Sequence, residues 1–301
     1  MVSSAPNVSD ELLKILCDAH APAWYLKAVQ QPTTVRQVFM PTGEHLHCVF
    51  WNEREIEKPL LLLVHGYRAH THAWDPVAPF LTGQFRVLAV DLMGMGMSGR
   101  RGDYGYQPRF ADDLAVLIGQ LAEGPVTVVG HSFGGACSIH LAAQHAGLVK
   151  RLIIVDTFVP FPALDEERVA AKLGRVQPYP DYASIVERYR LLPEQPCPPW
   201  ALAYIAHHSV RQVKGGWSWK FDTELPAARL EFGTQAALRQ LDVPTDYIGG
   251  AHSVICNAER LEHIEAAIGQ GRRAVVIPEA HHHIMLDQPL SLVSALRALL
   301  A

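Results

Sequence analysis

Four short apolar runs set the strongest limit on how this chain can fold. They are LLLLV before His65-Gly66, VLAV before Asp91, VTVV before Gly130 and LIIV before Asp156. A strand with one wet face would alternate polar and apolar residues. A run that is apolar throughout belongs to a strand covered on both faces, as in a parallel sheet. Helical windows lie between the runs or close the chain, among them PRFADDLAVLIGQLA and PLSLVSALRALLA. Two more strand-like runs come late, in VPTDYIGG and RRAVVIPEA, and two come early, TVRQVFMP and HLHCVFWN, around a turn at Thr42-Gly43. This alternation predicts an α/β fold, a mostly parallel doubly wound sheet with helices on both faces.

One region breaks the rhythm. From about residue 161 to 235 no buried strand stands out, prolines cluster in LLPEQPCPPW, and aromatics are dense. A structureless loop of that length does not suit a compact domain. The expected division is a core of residues 1–158 and 236–301, with a mainly helical cap insertion at 159–235. Most of the cap's aromatics are expected to be core.

Bulk properties exclude several classes. The 301 residues suit one large α/β domain or two small ones, and 49% of them are hydrophobic. The net charge of −4 comes with no basic stripe, so no nucleic-acid partner is expected. No apolar segment approaches the ~20 residues that span a bilayer, and MVSSAPNVSDELLKILCDAH lacks the basic start and apolar run of a secretory signal. Five cysteines without a CxxC pair suit free thiols in a reducing compartment. A cytoplasmic protein without membrane contact is expected, and its oligomeric state stays open.

The stretch PVTVVGHSFGGACSIHLAA reads as strand, sharp turn and helix. Ser132 sits between glycines at the turn, where a strained backbone would lift its oxygen above the sheet and a Cβ on either side would clash. The helix after it would aim N-terminal amides at developing negative charge. The bland alternative is an ordinary tight strand–helix turn.

Taken together, VHGYRAHTHAW, DLMGMGMSG, GHSFGG and PEAHHHIMLDQP, in this order, resemble the landmarks of the α/β-hydrolase family. The resemblance covers most of the chain outside the insertion. It implies Ser132 as nucleophile and an oxyanion hole formed by the amides of Phe133 and Tyr67. Counting back from Asp287-Gln288-Pro289 puts the family's catalytic histidine at His282, with His281 where the family has glycine and the neighbouring histidines as alternatives. A metal site at these histidines, or at His70-x-His72, is disfavoured because no carboxylate or cysteine spacing completes it. No cofactor is expected.

The acid is displaced. Where most of the family carries Gly-x-x-Asp, this chain has GGAHS, with His252 or Ser253 in the slot, neither of them a permanent anion. Asp246 falls inside the preceding strand and should face away. Asp156 ends the strand after the elbow helix, at the sheet edge where active sites of open parallel sheets lie. Some relatives place the acid there, so Asp156 is the expected triad acid, the alternative being a cap on backbone amides. Asp91 is expected to brace its glycine-rich loop.

The implied activity is that of a serine hydrolase acting on a small acyl ester or thioester through an acyl-enzyme. Its rivals are C–C bond hydrolysis of a diketone-like ring-cleavage product and a triad-retaining, non-catalytic ligand receptor. Trp217 and Trp219, two apart after Gly215-Gly216, would share one face of an extended segment, and at least one is expected in the substrate pocket, with anchoring as the alternative.

Overall fold

The computed structural model describes residues 8–165, 168–169, 177–225, 229–230, 233–269 and 274–301. Helices α1 (Asp10–Asp18) and α2 (Ala23–Val29) precede β1 (Thr34–Phe39), β2 (His45–Phe50), β3 (Leu60–Val64) and β4 (Arg86–Asp91). Then come α3 (Gln107–Leu121), β5 (Val126–His131), α4 (Phe133–Gln144) and β6 (Val149–Val155). After the intervening segment, β11 (Thr245–Gly250), α8 (Ala258–Ile268), β12 (Val275–Ile277), α9 (Ile284–Asp287) and α10 (Pro289–Leu300) complete the chain.

Eight strands form one sheet in the order β1-β2-β4-β3-β5-β6-β11-β12. The pairings β1/β2 and β2/β4 are antiparallel, and every pairing from β4 to β12 is parallel. The apolar runs explain this placement. In β3, Leu60, Leu62 and Val64 face one helical layer while Leu61 and Leu63 face the other. Leu88 and Val90 oppose Val87 and Ala89 in β4, and Leu152 and Ile154 oppose Ile153 and Val155 in β6. Both faces are dry, and each fully buried Leu, Ile or Val contributes ~1.5–3 kcal/mol. One layer holds α3, α4 and α8, through Phe110, Leu114, Ile139 and Ile264 among others. The other holds α9, α10 and the short 3₁₀ turn Thr71–Trp74 with its buried Trp74. No described helix is long and apolar enough to cross a membrane.

Between β6 and β11 the described residues are mainly helical, with four short strands among them. They include β7 (Arg168–Val169), α5 (Tyr182–Val186), α6 (Pro199–His208), β8 (Val210–Val213), β9 (Gly216–Trp219), β10 (Arg229–Leu230) and α7 (Gly233–Arg239). Strands β8 and β9 form a hairpin outside the main sheet. Its turn explains Gly215-Gly216: Gly215 has φ +92°, and a Cβ on Gly216 would strike the Tyr179 carbonyl. Tyr204 of α6 packs with Leu12, Leu16, Tyr25 and Val29 of α1 and α2. The apolar cluster under α6 thus draws on chain from both sides of the boundary expected at residue 158. Asp222 anchors the segment to the loop after β4, its N–H on the Gly94 carbonyl at 2.7 Å and its carboxylate accepting from Tyr104 Oη at 2.7 Å.

Candidate active site

The carboxyl ends of β3, β5, β6, β11 and β12 lie at one edge of the sheet, and their following loops converge there. Ser132 follows β5 directly, at φ 53° and ψ −122°, as the N-terminal residue before α4. Its N–H donates to the Val155 carbonyl at 3.0 Å, tying the turn to β6. The flanking glycines are required sterically. A Cβ on Gly130 would lie 2.6 Å from Ser138 Oγ, and one on Gly134 would run into the carbonyls of Val64 and His65.

His282 is brought to Ser132, and Asp156 to His282. His282 Nε2 lies 3.0 Å from Ser132 Oγ and Nδ1 lies 2.7 Å from Asp156 Oδ2. A carboxylate accepts only, so Nδ1–H donates to Asp156 and Nε2 is left to accept the Ser132 hydroxyl proton. Asp156 is fully buried, at φ 42°. Its other bonds come from Gly250 N–H to Oδ1 at 3.1 Å and from Ser253 Oγ to Oδ2 at 2.6 Å. Asp156 thus meets the imidazole and also receives one backbone amide. Asp246 points elsewhere, onto Arg151 at 2.7 Å, and His252 is largely exposed, 3.7 Å from Glu279.

The three consecutive histidines have separate partners. The N–H and Nδ1–H of His281 donate to Asp287 Oδ2 at 2.7 and 3.0 Å. Those of His283 donate to Gln195 Oε1 at 2.7 and 2.8 Å. Burial, with His282 beside it, pushes His283 down to about 3. From below, His131 Nε2–H donates to the His282 carbonyl at 2.9 Å. Burial, reinforced by His282 and His283, drives His131 well below the ordinary imidazole range, so it is neutral.

Phe133 is the first residue of α4, where helix amides lack intrahelical acceptors. The Gly66-Tyr67 loop passes over Ser132: a Cβ on Gly66 would sit 3.2 Å from Ser132 Cβ. The Tyr67 and Phe133 rings meet at 5.6 Å. His65 braces this loop, its Nδ1–H on the Gly66 carbonyl at 2.7 Å and its Nε2 accepting from Leu92 N–H at 3.0 Å. Asp91 joins the same two loops, accepting from Thr71 N–H at 2.6 Å and Met97 N–H at 2.9 Å, with His47 Nδ1 at 3.0 Å. Burial opposes its ionisation, but the contacts of His47, His65 and the Met97 amide outweigh it and hold the carboxyl well below its usual range. His70 and His72 share no partner: His70 Nε2–H donates to Ser209 Oγ at 2.9 Å and His72 Nδ1–H to Asp75 at 2.7 Å.

A cavity of about 360 Å³ opens above Ser132 and His282. Trp219 lines it, and Trp217 does not. Trp217 instead packs edge-on against Tyr182, with ring centroids 5.2 Å apart. The two share a face of β9, but Trp217 lies two residues nearer the turn, about 6.6 Å farther along the strand. Ser253, Gln195 and His131 are contacts that sequence reasoning did not assign. Gly-x-x-Ser pointed to the first, and nothing local pointed to the other two.

The sequence pattern that defines the alpha/beta hydrolase family matches residues 61–296. The chain belongs to that family. An esterase of Mycobacterium tuberculosis, Rv0045c, is 27% identical over 80% of this chain and 83% of its own. The 2-(acetamidomethylene)succinate hydrolase of Mesorhizobium japonicum is 29% identical over 75% and 82%. Among solved structures, a thioesterase domain of the curacin biosynthetic pathway superposes with a TM-score of 0.71 at 22% identity, over 88% of this chain and 99% of that one. This last likeness speaks for the α/β-hydrolase fold, which the eight-stranded sheet displays.

Proposed function

We propose that the protein is a serine hydrolase that cleaves a carboxylic ester or thioester. The observation that carries the reading is the relay in which Ser132 Oγ, His282 and Asp156 stand 3.0 and 2.7 Å apart with the imidazole tautomer fixed. Ser132 Oγ attacks the carbonyl carbon while its proton passes to His282 Nε2. The oxyanion is held by the amides of Phe133 and Tyr67, each worth ~3 kcal/mol in the transition state. Collapse breaks the carbonyl bond to the leaving oxygen or sulfur, which takes the proton from His282. Water then gives a proton to His282 and attacks the acyl-enzyme, and release of the acid returns that proton to Ser132. Asp156 stays ionised throughout and offsets the charge of the imidazolium.

The esterase and hydrolase names of the relatives support this class of reaction without choosing the substrate. A fluorophosphonate should label the wild type and not Ser132→Ala. A panel of acyl esters, acyl thioesters and a vinylogous diketone should show turnover of the first or second group. Equal labelling of Ser132→Ala, turnover of the diketone alone, or ligand binding without any turnover would overturn the reading.

A further inference from the structure

The cavity above Ser132 has an apolar wall that includes Ala73, Leu191, Ile205, Met285 and Leu286. It also carries three arginines, Arg68, Arg188 and Arg190, and among the described residues lining it there is no Asp, Glu or Lys. Several other arginines of this chain meet carboxylates, as in Arg101 with Asp113, Arg151 with Asp246 and Arg260 with Asp165. These three meet none among the described residues. The Arg68 guanidinium lies over the rings of Tyr67 and Phe221, 4.8 and 5.0 Å from their centroids. Its Nε is buried with no hydrogen-bond partner among the described residues. Arg188 lies over the Tyr179 ring at 5.7 Å, and Arg190 donates to the carbonyls of Glu187 and Tyr189 at 2.7 Å each.

Arg68 is also placed deliberately by the backbone. It follows Tyr67 in the loop over the nucleophile, at φ 57°, in the left-handed region where a residue with a side chain is strained. Its N–H donates to Met95 Sδ at 3.3 Å. A guanidinium keeps its charge at any working pH, and its planar fork matches carboxylate and phosphate oxygens. Uncompensated positive charge in an apolar concavity focuses potential on whatever enters it. The cavity lies at the small end of ligand sites, which suits a short acyl group.

We infer that the substrate is a short acyl ester or thioester bearing a second, anionic group, a carboxylate or phosphate, received by Arg68 with Arg188 and Arg190 at the mouth. This rests on the serine-hydrolase reading of the same site. The aromatic rings hold the Arg68 fork in place before the ligand arrives, so little side-chain freedom is lost on binding.

The test is protection of Ser132 from a fluorophosphonate at low ionic strength, with glutarate, its neutral diamide, and adenosine 3′,5′-bisphosphate as competitors. An anion should slow labelling about tenfold at a concentration where the diamide does nothing, and added salt should erase the effect. Protection by glutarate places the anion on the acyl side, and protection by the bisphosphate places it on the leaving group. In turnover, kcat/KM for 4-nitrophenyl hemiglutarate should exceed that for 4-nitrophenyl pentanoate about tenfold. Arg68→Gln should bring that ratio near one. Should Arg68→Gln misfold, the Arg188→Gln/Arg190→Gln pair, both exposed residues, should still lower the ratio at least threefold. Equal protection by diamide and anions, or a ratio unchanged in both variants, would overturn the inference. Absence of labelling in the wild type would instead overturn Ser132 as nucleophile. Calorimetric titration of glutarate and of the bisphosphate into Ser132→Ala would then decide the anion site by itself, binding of either upholding it and no heat of binding from both refuting it.

Discussion

Ser253 Oγ donates to Asp156 Oδ2 at 2.6 Å, the same oxygen that receives His282 Nδ1–H at 2.7 Å. The serine stands in the loop where most of the family carries its acid, and here it bonds a carboxylate at the end of the neighbouring strand. Asp156→Asn would leave the shape and remove the charge. An imidazole facing a neutral amide bears the cost of becoming imidazolium alone and can settle in the wrong tautomer. The expected loss is roughly 10²–10⁴ in kcat with little change in KM, the pattern of an interaction made in the transition state.

Ser253→Ala should cost less, since Asp156 keeps Gly250 N–H and His282. Loss of one hydrogen bond to a charged group is worth ~1.5–3 kcal/mol at most, so kcat should fall by about tenfold. His252→Ala removes a half-exposed ring that stacks on His281 and faces Glu279, and should change kcat by less than about twofold. Steady-state kinetics on a reactive 4-nitrophenyl ester would rank the three variants, and His252→Ala ranking below Asp156→Asn would sink the assignment.

The tryptophan pair separates two roles. Trp219→Ala enlarges the cavity over Ser132 and should shift acyl-length preference toward longer chains. Trp217→Ala removes a half-buried ring packed on Tyr182, so it should lower stability by ~1–3 kcal/mol and leave the preference alone. Urea unfolding and an acyl series on both variants would check the contrast.

Acid should destabilise the fold through its buried imidazoles. Burial holds His70, His131 and His208 well below the ordinary range, and His283 down to about 3. In the unfolded chain these groups titrate near ~6.5. Below that pH the unfolded state binds more protons, so the stability is present above pH ~6.5 and lost as pH falls toward the folded values. Each such group adds up to ~1.4 kcal/mol per pH unit within its window. Urea unfolding free energies should be flat from pH 8 to 7 and decline steeply between 6 and 5. A flat profile through pH 5 would contradict the neutral, buried state of these rings.

The parts legible in the sequence are those fixed by short-range sterics. An apolar run such as LLLLV can only lie dry on both faces, and Ser132 between two crowded glycines can only be a strand-to-helix turn. Asp156 was legible because a strand end sets which edge it reaches. Depth along a strand was not: the two-residue period gives Trp217 and Trp219 a common face but not a common distance from the cavity. The charge of the cavity was hidden too, because Arg68 and Arg190 lie far apart in the chain and line one cavity only through the tertiary fold.

Gln195 is the clearest contact of that hidden kind. It sits in the proline-rich stretch LLPEQPCPPW, which carries no local signal for a partner near residue 283. Its Oε1 accepts both the N–H and Nδ1–H of His283, and its Nε2 donates to Asp287 Oδ2 at 3.2 Å. Asp287 in turn holds His281. One side chain thus clamps both neighbours of His282 from the segment that overlies the site. Gln195→Ala leaves two buried donors of His283 unpaired and should let the His282 loop wander. We expect kcat to fall about tenfold, with KM changed less, and stability to fall by ~1–3 kcal/mol. Gln195→Glu keeps the acceptor for His283 but sets a carboxylate oxygen against Asp287 Oδ2 in place of the donor, so it should not recover the stability at neutral pH. If Gln195→Ala loses stability but retains full kcat, the clamp serves only to fasten the segment to the core.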